Sequence, residues 1–526
     1  MLSASAQRRT TVLAILLVAL AATGWRVRDL EARPMHHDEA NQAVRTGLLL
    51  DQGIYEYDPH EHHGPTLYYF TLPVARLSGQ SQFAETTETT YRLLPVVFGL
   101  LTLLLTLGLR KELGNFATVW AVAFAAVSPG LAFYSRFYIQ ETLLVCFTFG
   151  LLVAGRRYWS SRRLHWAILA GVAVGLMHAT KETCVLAWGA MGLAALIQIR
   201  TPNRLHRLLR RLSWRHALAF AATATAVSVV LFSSFFQHGR GPMDSVLTYA
   251  VYLGRAGTEG RHIQLSPWYY LRIMAWQREG GILFRPELAI LVLAGVGTVS
   301  AFLRRDRSAG FARFLVLYVA ILTVGYSLIS YKTPWCILTS LHGLTLLAGL
   351  GIEGIRRFGR RRWSAGLALL LGAGALWFTW GQCRLVNDRF RADERNPYVY
   401  VHTVPDFLKL VQRIEDIAAV AEQGRGMLLP VVTPVEDAWP LPWYLRRYPQ
   451  VGYWQHPSEL PEFPEPPPLL VATPEFEDDI RNILGDGYMS EYYGLRPEQG
   501  VLLALYIRPD LWERFIEARR STGDKP

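Results

Sequence analysis

Apolar residues along this chain gather into runs of about 17 to 25 positions, the length a helix needs to cross a bilayer. Such runs fall at 11–26, 91–109, 115–133, 139–155, 166–180, 182–199, 216–236, 286–303, 312–330, 334–352 and 364–381. The pattern predicts about eleven spans and an α-helical polytopic membrane protein. Near residue 382 it changes: short strand-like runs at 426–432, 469–472 and 501–507 alternate with helix-like stretches at 438–447, 475–484 and 509–519. We therefore expect a membrane domain over 1–384 and a soluble, extracytoplasmic α/β domain over 385–526, with the proline-rich 461–468 as an extended connector.

Of the 526 residues, 51% are hydrophobic and 18% charged, and the formal net charge is +12. A basic chain invites a nucleic-acid partner, but the arginines cluster between apolar runs: Arg8/Arg9, Arg110/Lys111, Arg156 to Arg163, Arg200 to Arg215, Arg304 to Arg307 and Arg356 to Arg362. With the N-terminus inside, each cluster falls in a cytoplasmic loop, so the excess charge is topogenic and no nucleic acid is expected. The expected location is the cell membrane, multi-pass, with the C-terminal domain outside. The first run has no small-residue cleavage site after Trp25, which reads as a retained anchor. Cys146, Cys184, Cys336 and Cys383 follow no metal or disulfide spacing and read as packing residues.

The loops assigned to the outer side hold a different chemistry. The first carries His36-His37-Asp38-Glu39, then Tyr55-x-Tyr57-Asp58-Pro59-His60-Glu61-His62-His63-Gly64-Pro65. Later junctions carry Arg136 to Glu141, Lys181-Glu182 and Tyr331-Lys332-Thr333-Pro334-Trp335. Ionisable groups beside hydrocarbon must be hydrated, paired or put to use. A glycosyl donor on an isoprenoid phosphate leaves its tail in the bilayer and its sugar phosphate at the interface. An enzyme using it needs a carboxylate to deprotonate an acceptor hydroxyl and cations to hold the phosphate. Asp38 or Glu39 fits the base, Arg136, Lys181 and Lys332 the phosphate, and Glu141 an orienting role.

Plainer readings stand beside these. Asp38 and Glu39 suit the first turn of a helix over 40–50, Arg136 and Lys181 suit snorkelling span ends, and 331–335 suits an interfacial aromatic anchor. For the histidines two readings remain open: a divalent metal held by His36, Asp38, His60 or His62, and a polar interfacial loop. The arginine- and aromatic-rich stretch 237–285 reads as headgroup-level amphipathic segments or a lid. The 436–444 segment suits acceptor recognition or helix capping. No Gly-rich phosphate loop is present, which argues against an ATP-driven pump.

The acidic pair behind two histidines, the Tyr-x-Tyr-Asp-Pro and His-Gly-Pro run, the Arg136–Glu141 motif and Lys181-Glu182 together resemble the GT-C superfamily of polyprenyl-phosphate-sugar glycosyltransferases. Over about residues 1–350 the chain is similar to the protein O-mannosyltransferase and lipid A aminoarabinose transferase group, nearest its bacterial and archaeal branch of flippase-activity-associated proteins. The resemblance implies inverting transfer of a sugar from a dolichyl or undecaprenyl phosphate to a lipid, glycan or protein acceptor. By motif position Asp38 matches the proposed base, Glu39 its partner and Glu141 the second acidic motif, while Lys181 and Lys332 match by location. The other reading is a transporter or flippase component that binds polyprenyl-linked glycans without transfer. A transporter should carry mid-membrane polar groups and an inverted repeat, whereas the polar groups here gather at one rim.

Overall fold

The computed structural model describes residues 4–60, 63–199, 213–258, 266–358, 362–485 and 487–521. The arginines of 200–211, together with Arg261, Arg360, Arg361 and His62, lie outside the described residues. Helix α1 (Ala4–Val27) leads into a long loop bearing α2 (His37–Gln52) and α3 (Thr66–Leu77). A run of helices follows: α4 (Glu88–Leu105), the short α5 (Arg110–Leu113), α6 (Asn115–Val127), α7 (Pro129–Tyr134), α8 (Glu141–Ser161), α9 (Leu164–His178), α10 (Cys184–Gln198) and α11 (Trp214–Phe232). Next come α12 (Gly241–Thr258), α13 (Tyr269–Ala275) and a hairpin of β1 (Gln277–Glu279) and β2 (Ile282–Phe284). The membrane part closes with α14 (Leu288–Leu303), α15 (Ala309–Leu328), α16 (Leu338–Phe358) and α17 (Arg362–Arg384).

Each predicted apolar run carries a helix. Among the described residues six helical stretches are long and apolar enough to cross a membrane, and four shorter apolar helices accompany them. The chain is a multi-pass membrane protein. The predicted 115–133 run is split, because Ser128 ends α6 and Pro129 opens α7 with Ser128 as its N-cap. The described part of the stretch after α11 holds α12, α13 and the hairpin.

Within lipid, helices associate through close packing and not through the exclusion of water, so small residues set their spacing. Helix α16 is central and almost wholly buried. A Cβ at Gly297 of α14 would lie 1.9 Å from the Leu347 carbonyl oxygen, and one at Gly351 of α16 would lie 2.1 Å from that of Leu293. Neither position admits a side chain, and α14 and α16 pack along most of their length.

The C-terminal part comprises α18 (Phe407–Val420), β3 (Leu429–Val432), the single turn α19 (Leu441–Tyr444), β4 (Val451–Trp454), β5 (Leu469–Ala472), α20 (Glu477–Leu484), β6 (Met489–Arg496), β7 (Val501–Ile507) and α21 (Pro509–Ser521). The sheet order is β4-β3-β5-β7-β6, with β3 parallel to both neighbours and β7 antiparallel to both of its own. Two strands, β4 and β6, and helix α18 add to the elements expected from the sequence, and the expected helix 438–447 shrinks to one turn. Phe407, Leu410, Ile414 and Ile417 of α18 pack with Leu429, Val431 and Leu505 of the sheet. This domain seats on the first loop: Trp443 is fully buried with its ring 5.1 Å from Tyr91 and 5.8 Å from Phe83. The Tyr444 hydroxyl accepts the Met35 N–H at 2.9 Å.

Candidate active site

Extended backbone at His36 starts α2, and His36 caps it. Its Nδ1 accepts the Asp38 N–H at 2.9 Å, while the Glu39 carboxylate accepts the His36 N–H at 3.2 Å. The box fixes the acidic pair on the first turn but sends the two side chains to opposite environments. Glu39 is fully buried. Arg92 grips it with two bonds, Nε at 2.8 Å and Nη2 at 2.7 Å, and the Tyr138 N–H donates at 2.9 Å. Arg33 adds a third cationic contact at 3.6 Å. Burial alone would raise the pKa of Glu39, but the Arg92 and Arg33 charges and these N–H donors outweigh it and hold it at about 2. Both oxygens are occupied, so Glu39 fixes the loop to α4 and to the turn before α8.

Asp38 keeps a side chain 40% exposed, with Nδ1 of His36 3.9 Å from its Oδ2. Tyr331 and Tyr400 lie within electrostatic reach of it. Burial lowers the pKa of His36, the charges of Asp38 and Glu39 offsetting it only in part, so the ring is neutral. With Nδ1 accepting, Nε2 carries the proton and donates to the Tyr400 carbonyl at 3.0 Å. Both ring nitrogens are thus engaged within the fold. That differs from the expected role of His36 as a metal ligand. The His60 backbone N–H donates to Asp58 at 2.8 Å, and among the described residues no group of three or more His, Cys, Asp or Glu side chains is placed to hold an ion.

Glu141 opens α8, and Lys181 stands in the turn between α9 and α10; their buried side chains form a direct ion pair. Burial works against the Lys181 ammonium, but Glu141 more than compensates and raises its pKa. The second oxygen of Glu141, Oε2, is buried and finds no hydrogen-bond partner among the described residues. Glu141 lines a small cavity with Thr183, Tyr326, Trp335, Cys336 and others. Trp335 joins this cavity to the Asp38 side: its ring is 6.0 Å from His36 and 5.7 Å from Tyr400. Asp38, through His36, and the Glu141–Lys181 pair, through the cavity, are thus both linked to one indole. Lys332, three residues before it, is buried with Nζ donating to the Ile329 carbonyl.

Arg136 is not brought to Lys181. Its Nη2 donates to the Arg28 carbonyl at 2.5 Å, and it lines a separate cavity with Arg33, Arg92 and Arg391. The structure also adds pairings and groups to which the sequence reading gave no role. His63 pairs with Glu182 at 2.8 Å, and the Tyr252 hydroxyl lies 3.2 Å from the same ring nitrogen. Tyr400 and His402 come from the segment before the C-terminal domain, and nothing local in the sequence marks them. Arg92 did carry a signal, a lone cation one turn into an apolar run.

The family model described as dolichyl-phosphate-mannose-protein mannosyltransferase matches residues 66–240. Searched by sequence, the curated proteins contain no match to this chain. Among solved structures, ArnT from Cupriavidus metallidurans bound to undecaprenyl phosphate is similar at a TM-score of 0.61 and 16% identity, covering 94% of this chain and 97% of that one. The oligosaccharyltransferase of Archaeoglobus fulgidus in the apo form is similar at a TM-score of 0.52 and 13% identity, covering 97% of this chain and 77% of that one. Residues 66–240 thus match the family model described as dolichyl-phosphate-mannose-protein mannosyltransferase, and the chain as a whole shares its fold with these two solved structures.

Proposed function

We propose that this protein is an inverting membrane glycosyltransferase that moves a sugar from a polyprenyl-phosphate donor to an acceptor at the outer face of the cell membrane. The observation that carries this reading is a part-exposed carboxylate, Asp38, beside His36, whose ring neighbours Trp335, together with a buried Glu141–Lys181 pair with a spare acceptor oxygen at the cavity that Trp335 lines. The fold is shared with a protein solved with undecaprenyl phosphate bound. The arginine clusters favour a cytoplasmic N-terminus, which supports an outer position for these groups.

In this reaction Asp38 takes the proton of an acceptor hydroxyl as the acceptor oxygen bonds to the anomeric carbon. The bond from that carbon to the phosphate oxygen breaks with its electron pair, and inversion follows from attack opposite the leaving group. Polyprenyl phosphate departs with added negative charge, which Lys181 neutralises, joined by Lys332 on release from the Ile329 carbonyl. Glu141 holds Lys181 in place and offers Oε2 to a donor hydroxyl. Glu39 acts as a positioning residue, since its oxygens are already occupied.

The test is sugar release from a panel of radiolabelled polyprenyl-phosphate sugars by protein in lipid, with membrane extract as acceptor. Asp38→Asn should lower turnover by about 10²-fold or more with thermal unfolding unchanged. Donor binding without turnover in either protein would turn the reading towards a flippase component. Repeating the assay after chelation tests whether His60 and His62 hold an ion that the reaction needs.

A further inference from the structure

A second, partly open cavity lies on the same side of the membrane as Asp38 but shares no lining residue with the Glu141 cavity. Its walls include Arg33, Arg92, Arg136 and Arg391, with Asp29, Phe133 and Asn387. Four guanidiniums around one space repel each other unless anions offset them. Glu39 neutralises Arg92, and Arg28 takes the carboxylate of Asp29 at 3.0 Å. The other three arginines have less. Arg33 reaches Glu39 only at 3.6 Å and otherwise donates to the Arg136 carbonyl at 3.0 Å, with its guanidinium over the rings of Phe133 and Phe137. Arg136 donates to backbone carbonyls, with the Asp388 carboxylate acting on it only at longer range, and Arg391 also lines the cavity. Arg33 is more than nine-tenths buried, and its Nε and that of Arg136 are buried donors with no acceptor among the described residues.

Depth in the membrane narrows the choice of anion. The cavity forms where α1 ends at Val27 and where the turn after α17 begins. Just inside it the indoles of Trp25 and Trp380 meet edge to face at 4.8 Å. Paired tryptophans at helix ends mark the interfacial belt, and lipid-facing Leu370 and Trp377 of α17 lead up to the same level. Arginines just beyond that belt stand where phospholipid phosphates lie, and a forked guanidinium matches a phosphate's oxygens in a way that an ammonium does not.

We propose that this arginine cavity is a phosphate-binding site separate from the catalytic cavity, built for a phosphate at headgroup level such as that of an anionic phospholipid. The bound phosphate accepts from the idle Nε groups of Arg33 and Arg136 and from Arg391, joining α1, the turn before α8 and the end of α17. The site does not depend on the reaction proposed above, and its test reads no activity.

Thermal unfolding of the full chain is followed in phosphatidylcholine nanodiscs, in discs containing phosphatidylglycerol, and in phosphatidylcholine discs with inorganic phosphate against chloride of equal ionic strength. Wild type should be stabilised by phosphatidylglycerol, by inorganic phosphate, or by both, and native mass spectrometry should show retained phosphatidylglycerol if the lipid is the source. Response to the lipid alone assigns a headgroup site, and response to inorganic phosphate alone assigns a free-anion site. In Arg391→Gln the concentration giving half the effect should rise about tenfold, the scale of one lost charged hydrogen bond. Arg305→Gln on the opposite face should respond as wild type does. No stabilisation in any arm, or an Arg391→Gln response equal to wild type, overturns the proposal.

Discussion

Two buried carboxylate–cation pairs, Glu39–Arg92 and Glu141–Lys181, differ in how fully their bonding capacity is used. In the first, both carboxylate oxygens accept from a guanidinium and each takes a further backbone N–H, while Arg92 also donates to the Leu30, Arg33 and Pro34 carbonyls. In the second, one carboxylate oxygen meets an ammonium and the other is left over among the described residues. A saturated pair has nothing left to offer a ligand and serves as a rivet. A pair with spare capacity beside a cavity is where a substrate can complete the set.

The sharpest way to break this comparison is to remove one half of the rivet. Arg92→Met leaves Glu39 buried and unpaired, at a cost of about 3–5 kcal/mol. The protein should lose most of its thermal stability or fail to accumulate, as read by unfolding in detergent. The double variant Glu39→Leu/Arg92→Met should recover much of that loss, because an apolar pair removes the stranded charge. If the single variant unfolds like wild type, Glu39–Arg92 is not the rivet.

Lys181→Met separates the pairs in the other direction. Its charge stands nearest the proposed leaving phosphate, so sugar transfer should fall about 10²- to 10³-fold, while the unfolding midpoint moves less than in Arg92→Met. Equal losses of stability in the two variants would show that both pairs are structural.

Much of the fold was legible because spans are written in one dimension: a run of apolar residues predicts a helix without knowledge of its neighbours. The C-terminal sheet was legible only in part. The strands β3, β5 and β7 are continuous apolar runs, whereas β4 is a four-residue edge and β6 mixes Ser490, Glu491 and Gly494 into its ladder. Helix α18 was there to be read, with Phe407, Leu410, Ile414 and Ile417 on one face. At the site, the sequence marked which loops hold the polar groups but not which neighbour does what. Asp38 and Glu39 are adjacent, and only Arg92, 53 residues away in sequence, separates them into an open carboxylate and a riveted one. For the same reason the sequence grouped Arg136 with Lys181, although the fold turns it towards α1 and a different cavity.

Acid gives the finest test of the rivet. Glu39 has a folded-state pKa of about 2 against an ordinary value of 4.5, so its pairing stabilises the fold fully above about pH 4.5. That stabilisation is lost as pH falls through the folded value, because the native carboxylate must then take up a proton that the unfolded chain has already bound. The shift corresponds to about 3 kcal/mol at most. Other carboxylates titrate in the same range, so the informative quantity is the difference between wild type and Glu39→Gln, whose amide mimics the protonated acid. The gap in unfolding midpoint between the two should be widest near neutrality, constant down to about pH 4.5, and should close towards about pH 2. A gap that stays the same across that range would mean that Arg92 recognises the shape of the side chain and not its charge, and the contrast with Glu141–Lys181 would then rest on geometry alone.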